Sequence, residues 1–171
     1  MFSTRKRGQF CIDNVPDILL VEDNKYDVEF ILEALEKTGI ADRVKVFNDG
    51  EKVLEYLFAG GEYAGRGSCE QPGVILLDLK LPKVDGLEVL RRIRSNELTK
   101  IIPVVVFSSS TEDRDKTESY RLGANSYIIK PVSYESFVKL AAEIGFYWSF
   151  LNVPPSQDGK ECSTQTPFII S

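Results

Sequence analysis

Four apolar runs in this chain end in side chains that carry a charge or a hydroxyl. Ile18-Leu19-Leu20-Val21 is followed by Glu22 and Asp23, Val74-Ile75-Leu76-Leu77 by Asp78, Val104-Val105-Val106-Phe107 by Ser108, and Tyr127-Ile128-Ile129 by Lys130. Brought to one place, three carboxylates, a hydroxyl and an ammonium make a set suited to phosphoryl chemistry. Crowded carboxylates repel, and a divalent cation relieves them; Mg²⁺ takes a few carboxylate oxygens, keeps waters and leaves positions for phosphate oxygens. Lys130 offers a point charge to a phosphoryl oxygen. An Asp carboxylate can itself be the nucleophile, giving an aspartyl phosphate. In-line transfer then asks for positioning and charge neutralisation, which Mg²⁺, Lys130 and Ser108 supply without a general base.

The elements around these residues determine whether they meet. Runs of four consecutive apolar residues read as strands buried on both faces, the pattern of a parallel sheet covered by helices. Between them lie helical stretches: 26–38 with Val28, Ile31, Leu32 and Leu35 on one face and Gly39 as its stop, a second carrying Val53, Leu54 and Leu57, and 86–95 with Leu87, Leu90 and Ile93. A further short strand spans 44–47 and turns through Asn48-Asp49-Gly50. Segment 112–122 is helical but poorly amphipathic, so it should be loosely held. The last helix, 134–151, places Phe137, Leu140, Ala141, Ile144, Trp148 and Leu151 in one stripe toward the core, with Phe146 and Phe150 opposite and Tyr147 on the flank.

Strand and helix alternate five times, which predicts a three-layer α/β/α sandwich with a five-stranded parallel sheet and right-handed crossovers. In such a sheet the carboxyl ends of all strands share one edge, where ligands bind. Residues 1–15 read as a flexible arm, 16–151 as the domain, and 152–171 as a tail whose Phe168-Ile169-Ile170 is apolar enough to dock. The Gly-rich stretch 59–73 reads as a surface insertion; it is no phosphate cradle, since no Gly-Lys-Ser/Thr follows its glycines.

Composition narrows the function further. The chain has no histidine, which excludes Ser-His-Asp and Cys-His hydrolysis and paired-His zinc sites. Its net charge of -5, with no basic stripe beyond Arg5-Lys6-Arg7, argues against nucleic acid as a partner. Cys11, Cys69 and Cys162 lie far apart without a CxxC pair, so neither a disulfide framework nor a zinc ribbon is indicated. No signal-peptide core and no run of about 18 apolar residues is present, so a cytoplasmic protein without a membrane span is expected.

Each side chain also has an ordinary structural reading. A carboxylate at a strand end can cap a helix, a task Asn24 could serve equally well. Asp78 can tie down its own loop, Lys130 can be a solvated charge, Ser108 a loop hydroxyl and Tyr127 a core aromatic. Their occurrence at four strand ends together is what favours the chemical reading.

Taken together, Val21-Glu22-Asp23-Asn24, Leu77-Asp78-Leu79-Lys80-Leu81-Pro82 with Asp85-Gly86, Ser108-Ser109, and Tyr127-Ile128-Ile129-Lys130-Pro131 resemble the receiver domain of two-component response regulators, over residues 16–151. The resemblance implies a flavodoxin-like strand order 2-1-3-4-5 and a protein that is not a conventional enzyme but promotes its own Mg²⁺-dependent phosphorylation and dephosphorylation. It implies that Asp78 accepts phosphate from a phosphohistidine of a kinase, that Asp23 and Asp78 bind Mg²⁺ with Glu22 assisting, and that the Lys80 backbone carbonyl completes the metal shell. Ser108 would bond a phosphoryl oxygen, Lys130 would pair with it, Tyr127 would follow Ser108 as a switch, and a cis peptide would precede Pro131.

Gly61-Glu62-Tyr63, the stretch from Ser119 through Gly123-Ala124-Asn125 to Tyr127, and Phe146-Tyr147-Trp148 are similar to stand-alone regulators paired with cyanobacterial phytochrome kinases. That similarity implies a light-regulated histidine kinase as donor and a homodimer, for which Phe146, Tyr147 and Phe150 are the candidate contact residues. Competing readings fit less well. A pseudo-receiver acting only as an interaction module would have lost Asp23, Asp78 or Lys130. An aspartate-nucleophile phosphatase would carry Asp where Lys80 stands, and a flavin binder would need a hydroxyl-rich loop where Glu22 and Asp23 stand.

Overall fold

The computed structural model describes residues 15–66 and 71–153. Residues 1–14 of the proposed arm (1–15) and most of the tail, with Phe168-Ile169-Ile170, lie outside the described residues. Five strands and five helices alternate along the chain: β1 (Ile18–Val21), α1 (Lys25–Glu36), β2 (Val44–Phe47), α2 (Gly50–Leu57), β3 (Val74–Leu77), α3 (Gly86–Ser95), β4 (Val104–Ser108), α4 (Asp113–Arg121), β5 (Ser126–Ile129) and α5 (Tyr134–Phe146). All pairings are parallel and the sheet order is β2-β1-β3-β4-β5, the flavodoxin-like arrangement.

The central strands bury both faces, as their unbroken apolar runs require. Leu19, Val21, Ile75, Leu77, Val104 and Val106 pack beneath α2 and α3. Ile18, Leu20, Val74, Leu76, Val105 and Phe107 pack beneath α1 and α5. Helix starts follow local chemistry: the side chains of Asn24, Asp49, Asp85 and Ser133 each accept a backbone N–H of the first turn of α1, α2, α3 and α5. Asn24 rather than Glu22 or Asp23 caps α1, which leaves those two carboxylates for other work.

Two local expectations are corrected and one is refined. Within segment 59–73, Gly61–Tyr63 forms a 3-10 turn. Tyr63 packs edge-on against Tyr56 with ring centroids 5.2 Å apart, and Lys45 Nζ sits 5.0–5.7 Å from the rings of Phe47, Tyr56 and Tyr63. Aromatic packing at Tyr63 anchors this turn against α2 and β2. The last helix changes to π-helical form over Tyr147–Leu151. Bonding from i to i+5 alters the angular spacing, so Leu151, placed in the core stripe by a uniform helical period, is exposed instead. Finally, no peptide bond is cis among the described residues, so the bond before Pro131 is trans. The intrinsic preference of such a bond is for trans by about 0.5–1 kcal/mol, and Lys130 reaches its partners in that geometry.

Gly86, at the start of α3, allows the chain to close against the end of β3. A Cβ there would meet the Asp78 carbonyl oxygen at 2.3 Å and the Leu79 Cα at 2.6 Å, both backbone atoms with no rotamer to yield. Gly86→Ala is therefore expected to lower unfolding free energy by about 2 kcal/mol, in the usual range for overpacking, as read from urea denaturation.

Candidate functional site

The carboxyl ends of β1, β3, β4 and β5 meet as parallel pairing dictates. Glu22 leaves β1 and is buried; its N–H donates to the Phe47 carbonyl (2.9 Å), and its Oε1 accepts the Asn24 N–H (3.0 Å). Asp23 is exposed at the rim. Asp78, buried at the end of β3, accepts the Leu79 N–H on Oδ1 at 2.7 Å and faces Lys130 with Oδ2. The Lys130 N–H donates to the Ser108 carbonyl (2.9 Å), which ties the end of β5 to the end of β4.

Lys130 Nζ is the hub of this pocket. It donates to Glu22 Oε2 at 2.6 Å, Asp27 Oδ2 at 2.8 Å and Asp78 Oδ2 at 3.2 Å, with its side chain nearly inaccessible. Burial alone would lower the pKa of this ammonium, but Glu22, Asp27 and Asp78 outweigh it and hold the group above its ordinary value, fully protonated at neutral pH. Glu22 moves the other way for a carboxyl: burial pushes it to about 7 against the pull of Lys130, with Asp78 adding to the rise. The pocket thus carries more negative charge than one lysine neutralises.

Ser108 is completely buried, and its Oγ accepts the Ser110 N–H at 3.3 Å. Tyr127 is half-buried, and its hydroxyl donates to the Ser110 carbonyl at 3.0 Å, so ring and loop are joined. Lys80 is exposed in the loop after β3. Phe146, Tyr147 and Phe150 lie away from the pocket on an exposed surface, where the rings of Phe146 and Phe150 touch at a centroid distance of 5.4 Å. Sequence reading missed Asp27. It lies four residues after Asp23 in the first turn of α1, and nothing local in the sequence shows that this turn faces the strand ends.

Residues 18–142 match the family model of the response regulator receiver domain. The chain belongs to that family. The receiver is 44% identical over 138 residues to the probable methanogenesis regulatory protein FilR2 of Methanothrix harundinacea, covering 81% of this chain and 86% of that protein. It is 38% identical over 131 residues to response regulator Rcp1 of Synechocystis sp., covering 77% and 87% respectively. Among solved structures, the phosphorylated cyanobacterial phytochrome response regulator RcpA superposes with a TM-score of 0.77 at 40% identity, covering 84% of this chain and all of that one. The Mn²⁺-bound form of Rcp1 superposes at 0.75 with 37% identity, covering 81% and 98%. Among the described residues, no helix is long and apolar enough to cross a membrane.

Receiver domains bind a divalent metal, and the donor set here fits one. Oxygens of Glu22, Asp23 and Asp78 all lie within 4.8 Å of one another, hard ligands of the kind Mg²⁺ and Mn²⁺ prefer. A divalent cation at about a hundred times its dissociation constant should add about 2.7 kcal/mol to unfolding free energy. The expected result is an upward shift of the urea midpoint in the wild type that is largely lost in Asp23→Asn, with the cation-free midpoint of the variant unchanged or higher.

Proposed function

We propose that this receiver acts in a two-component response regulator in which Asp78 accepts a phosphoryl group from a phosphohistidine of a sensor histidine kinase. The observation that carries this reading is the setting of Asp78: a buried carboxylate fixed by the Leu79 N–H, faced by the Lys130 ammonium, and flanked by Glu22 and Asp23 oxygens. In the transfer an Asp78 carboxylate oxygen attacks phosphorus in line, the phosphorus–nitrogen bond breaks, and the leaving imidazole keeps the bonding pair and takes up a proton. Lys130 turns from Asp78 toward a phosphoryl oxygen while Glu22 and Asp27 continue to hold it. Ser108 donates its hydroxyl to a second oxygen. Glu22, Asp23, Asp78 and the Lys80 carbonyl would hold Mg²⁺, which when bound would supply positive charge to the transferring group. Attack of water on the acyl phosphate returns the carboxylate, and Lys80 and Ser110 flank its path.

The donor we infer is a phytochrome-type kinase, supported by the similarity to Rcp1 and RcpA across nearly their full lengths. The chain is equally similar in extent to FilR2, which is named as a probable methanogenesis regulatory protein. The proposed site of action is the cytoplasm, and the proposed output is protein binding, with no nucleic-acid contact at a net charge of -5. A phosphorylation-independent pseudo-receiver would have no use for this arrangement of Asp78 and Lys130.

The test is incubation with acetyl phosphate and Mg²⁺, followed by intact-mass analysis. Wild type is expected to gain a single phosphoryl group and Asp78→Asn none; equal labelling of both, or labelling of neither, sinks the assignment. The exposed Phe146, Tyr147 and Phe150 rings supply a contiguous apolar surface suited to an isologous homodimer. Sedimentation of wild type as a dimer and of Phe146→Asp/Phe150→Asp as a monomer is the expected outcome, and a monomeric wild type refutes it.

A further inference from the structure

Helix α4 is the least anchored helix of the domain. Ser119 is its only buried residue, and its N-cap, Glu112, makes no side-chain capping bond. Its first turn is tied to the end of β4 by a hydrogen bond from outside the helix: Ser110 Oγ donates to Asp115 Oδ2 at 2.5 Å while accepting the Glu112 N–H at 3.4 Å. Ser110 is buried, and its other two polar groups are engaged with the two residues proposed as the switch. Its N–H donates to Ser108 Oγ and its carbonyl accepts the Tyr127 hydroxyl. One residue thus joins four partners through three of its atoms.

This arrangement bears on Ser108 directly. A serine hydroxyl has one proton to give and two lone pairs to receive with. With a lone pair occupied by the Ser110 N–H, the Ser108 oxygen is held in place, and its rotatable hydroxyl can be turned toward an incoming oxygen. Anything that fixes Ser110 therefore prepares Ser108 before a phosphoryl group arrives, and such preorganisation strengthens binding by lowering the ordering cost.

We propose that Asp115 is a positioning residue for the phosphoacceptor pocket, acting through Ser110 to hold Ser108 and Tyr127 in register with helix α4. The proposal rests on Asp78 being the phosphoacceptor, and it deepens that reading by naming the bond that couples the pocket to α4. The coupling runs both ways. A partner that grips α4 and strengthens the Asp115–Ser110 bond raises affinity for the phosphoryl group, and a bound phosphoryl group tightens α4.

The experiment is titration of the full chain with beryllofluoride at saturating Mg²⁺, followed by tryptophan fluorescence and amide NMR, alongside a titration with Mg²⁺ alone. Loss of a hydrogen bond to a charged group should raise the beryllofluoride midpoint about tenfold in Asp115→Ala. Ser110→Ala, which keeps the backbone N–H and carbonyl, should match it, and the double variant should be no worse than either single one. Asp115→Asn, whose amide oxygen still accepts, should recover part of the loss. The Mg²⁺ midpoint should stay within about twofold of wild type throughout, because the bond lies outside the carboxylate set. Unchanged beryllofluoride midpoints in the single variants, additive losses in the double variant, or a parallel loss of Mg²⁺ binding would each overturn the role of Asp115. A wild type that fails to saturate at all would instead overturn the Asp78 reading and carry this inference with it.

Discussion

The structure turns on one buried ammonium shared by three carboxylates. Removing an ion from water costs several kcal/mol even after relaxation, and Lys130 is tolerated only because Glu22, Asp27 and Asp78 all lie within 3.2 Å of it. Those carboxylates depend on it in turn, since two of them are themselves buried. The balance is incomplete: with Asp23 at the rim, four acidic groups lie about one base. Burial, with a smaller push from Asp78, raises the Glu22 carboxyl to about 7 despite Lys130. A pocket in that state favours any added positive charge, and metal binding follows from electrostatics before any role is assigned to the metal.

The sheet converts this local need into a fixed geometry. Residues far apart in the chain, Glu22, Asp78 and Lys130, come within hydrogen-bonding distance because β1, β3, β4 and β5 run parallel and in register, so their ends coincide. A rigid, doubly covered sheet resists the splaying that like charges would otherwise cause. Gly86 completes the closure by letting α3 begin against the Asp78 backbone, where no side chain would fit.

Much of this was legible in the sequence, for identifiable reasons. Parallel strands buried on both faces announce themselves as apolar runs, and a polar residue that ends such a run stands at the edge of the sheet, so Glu22, Asp78, Ser108 and Lys130 could be placed together from order alone. Asp27 could not, because its role depends on the rotation of α1 relative to β5, which helical periodicity does not define. The π-helical turn that exposes Leu151 and the aromatic packing of Tyr63 also depend on tertiary contacts that have no local signature. The trans bond before Pro131 differs from the resemblance because proline restricts its own φ while leaving the isomer of the preceding bond to context.

The two helices nearest the end of β5 show how unequal packing divides labour. Helix α5 lies so close to α1 that a Cβ on Gly145 would meet Leu35 Cδ2 at 2.1 Å, and Phe137, Ala141 and Ile144 are buried along its inner face. Moving α5 would expose apolar surface at about 25 cal/mol for every Å². Helix α4 has almost no such surface and is joined to its surroundings by polar bonds, at Asp115 near its start and at Tyr120, whose hydroxyl accepts the Tyr127 N–H at 3.2 Å. Polar bonds exchange readily with water at a small net cost, so α4 can shift with the state of the pocket while α5 keeps its place. The helix poorest in hydrophobic residues is for that reason the one that the proposed change of charge at Asp78 would move at least cost.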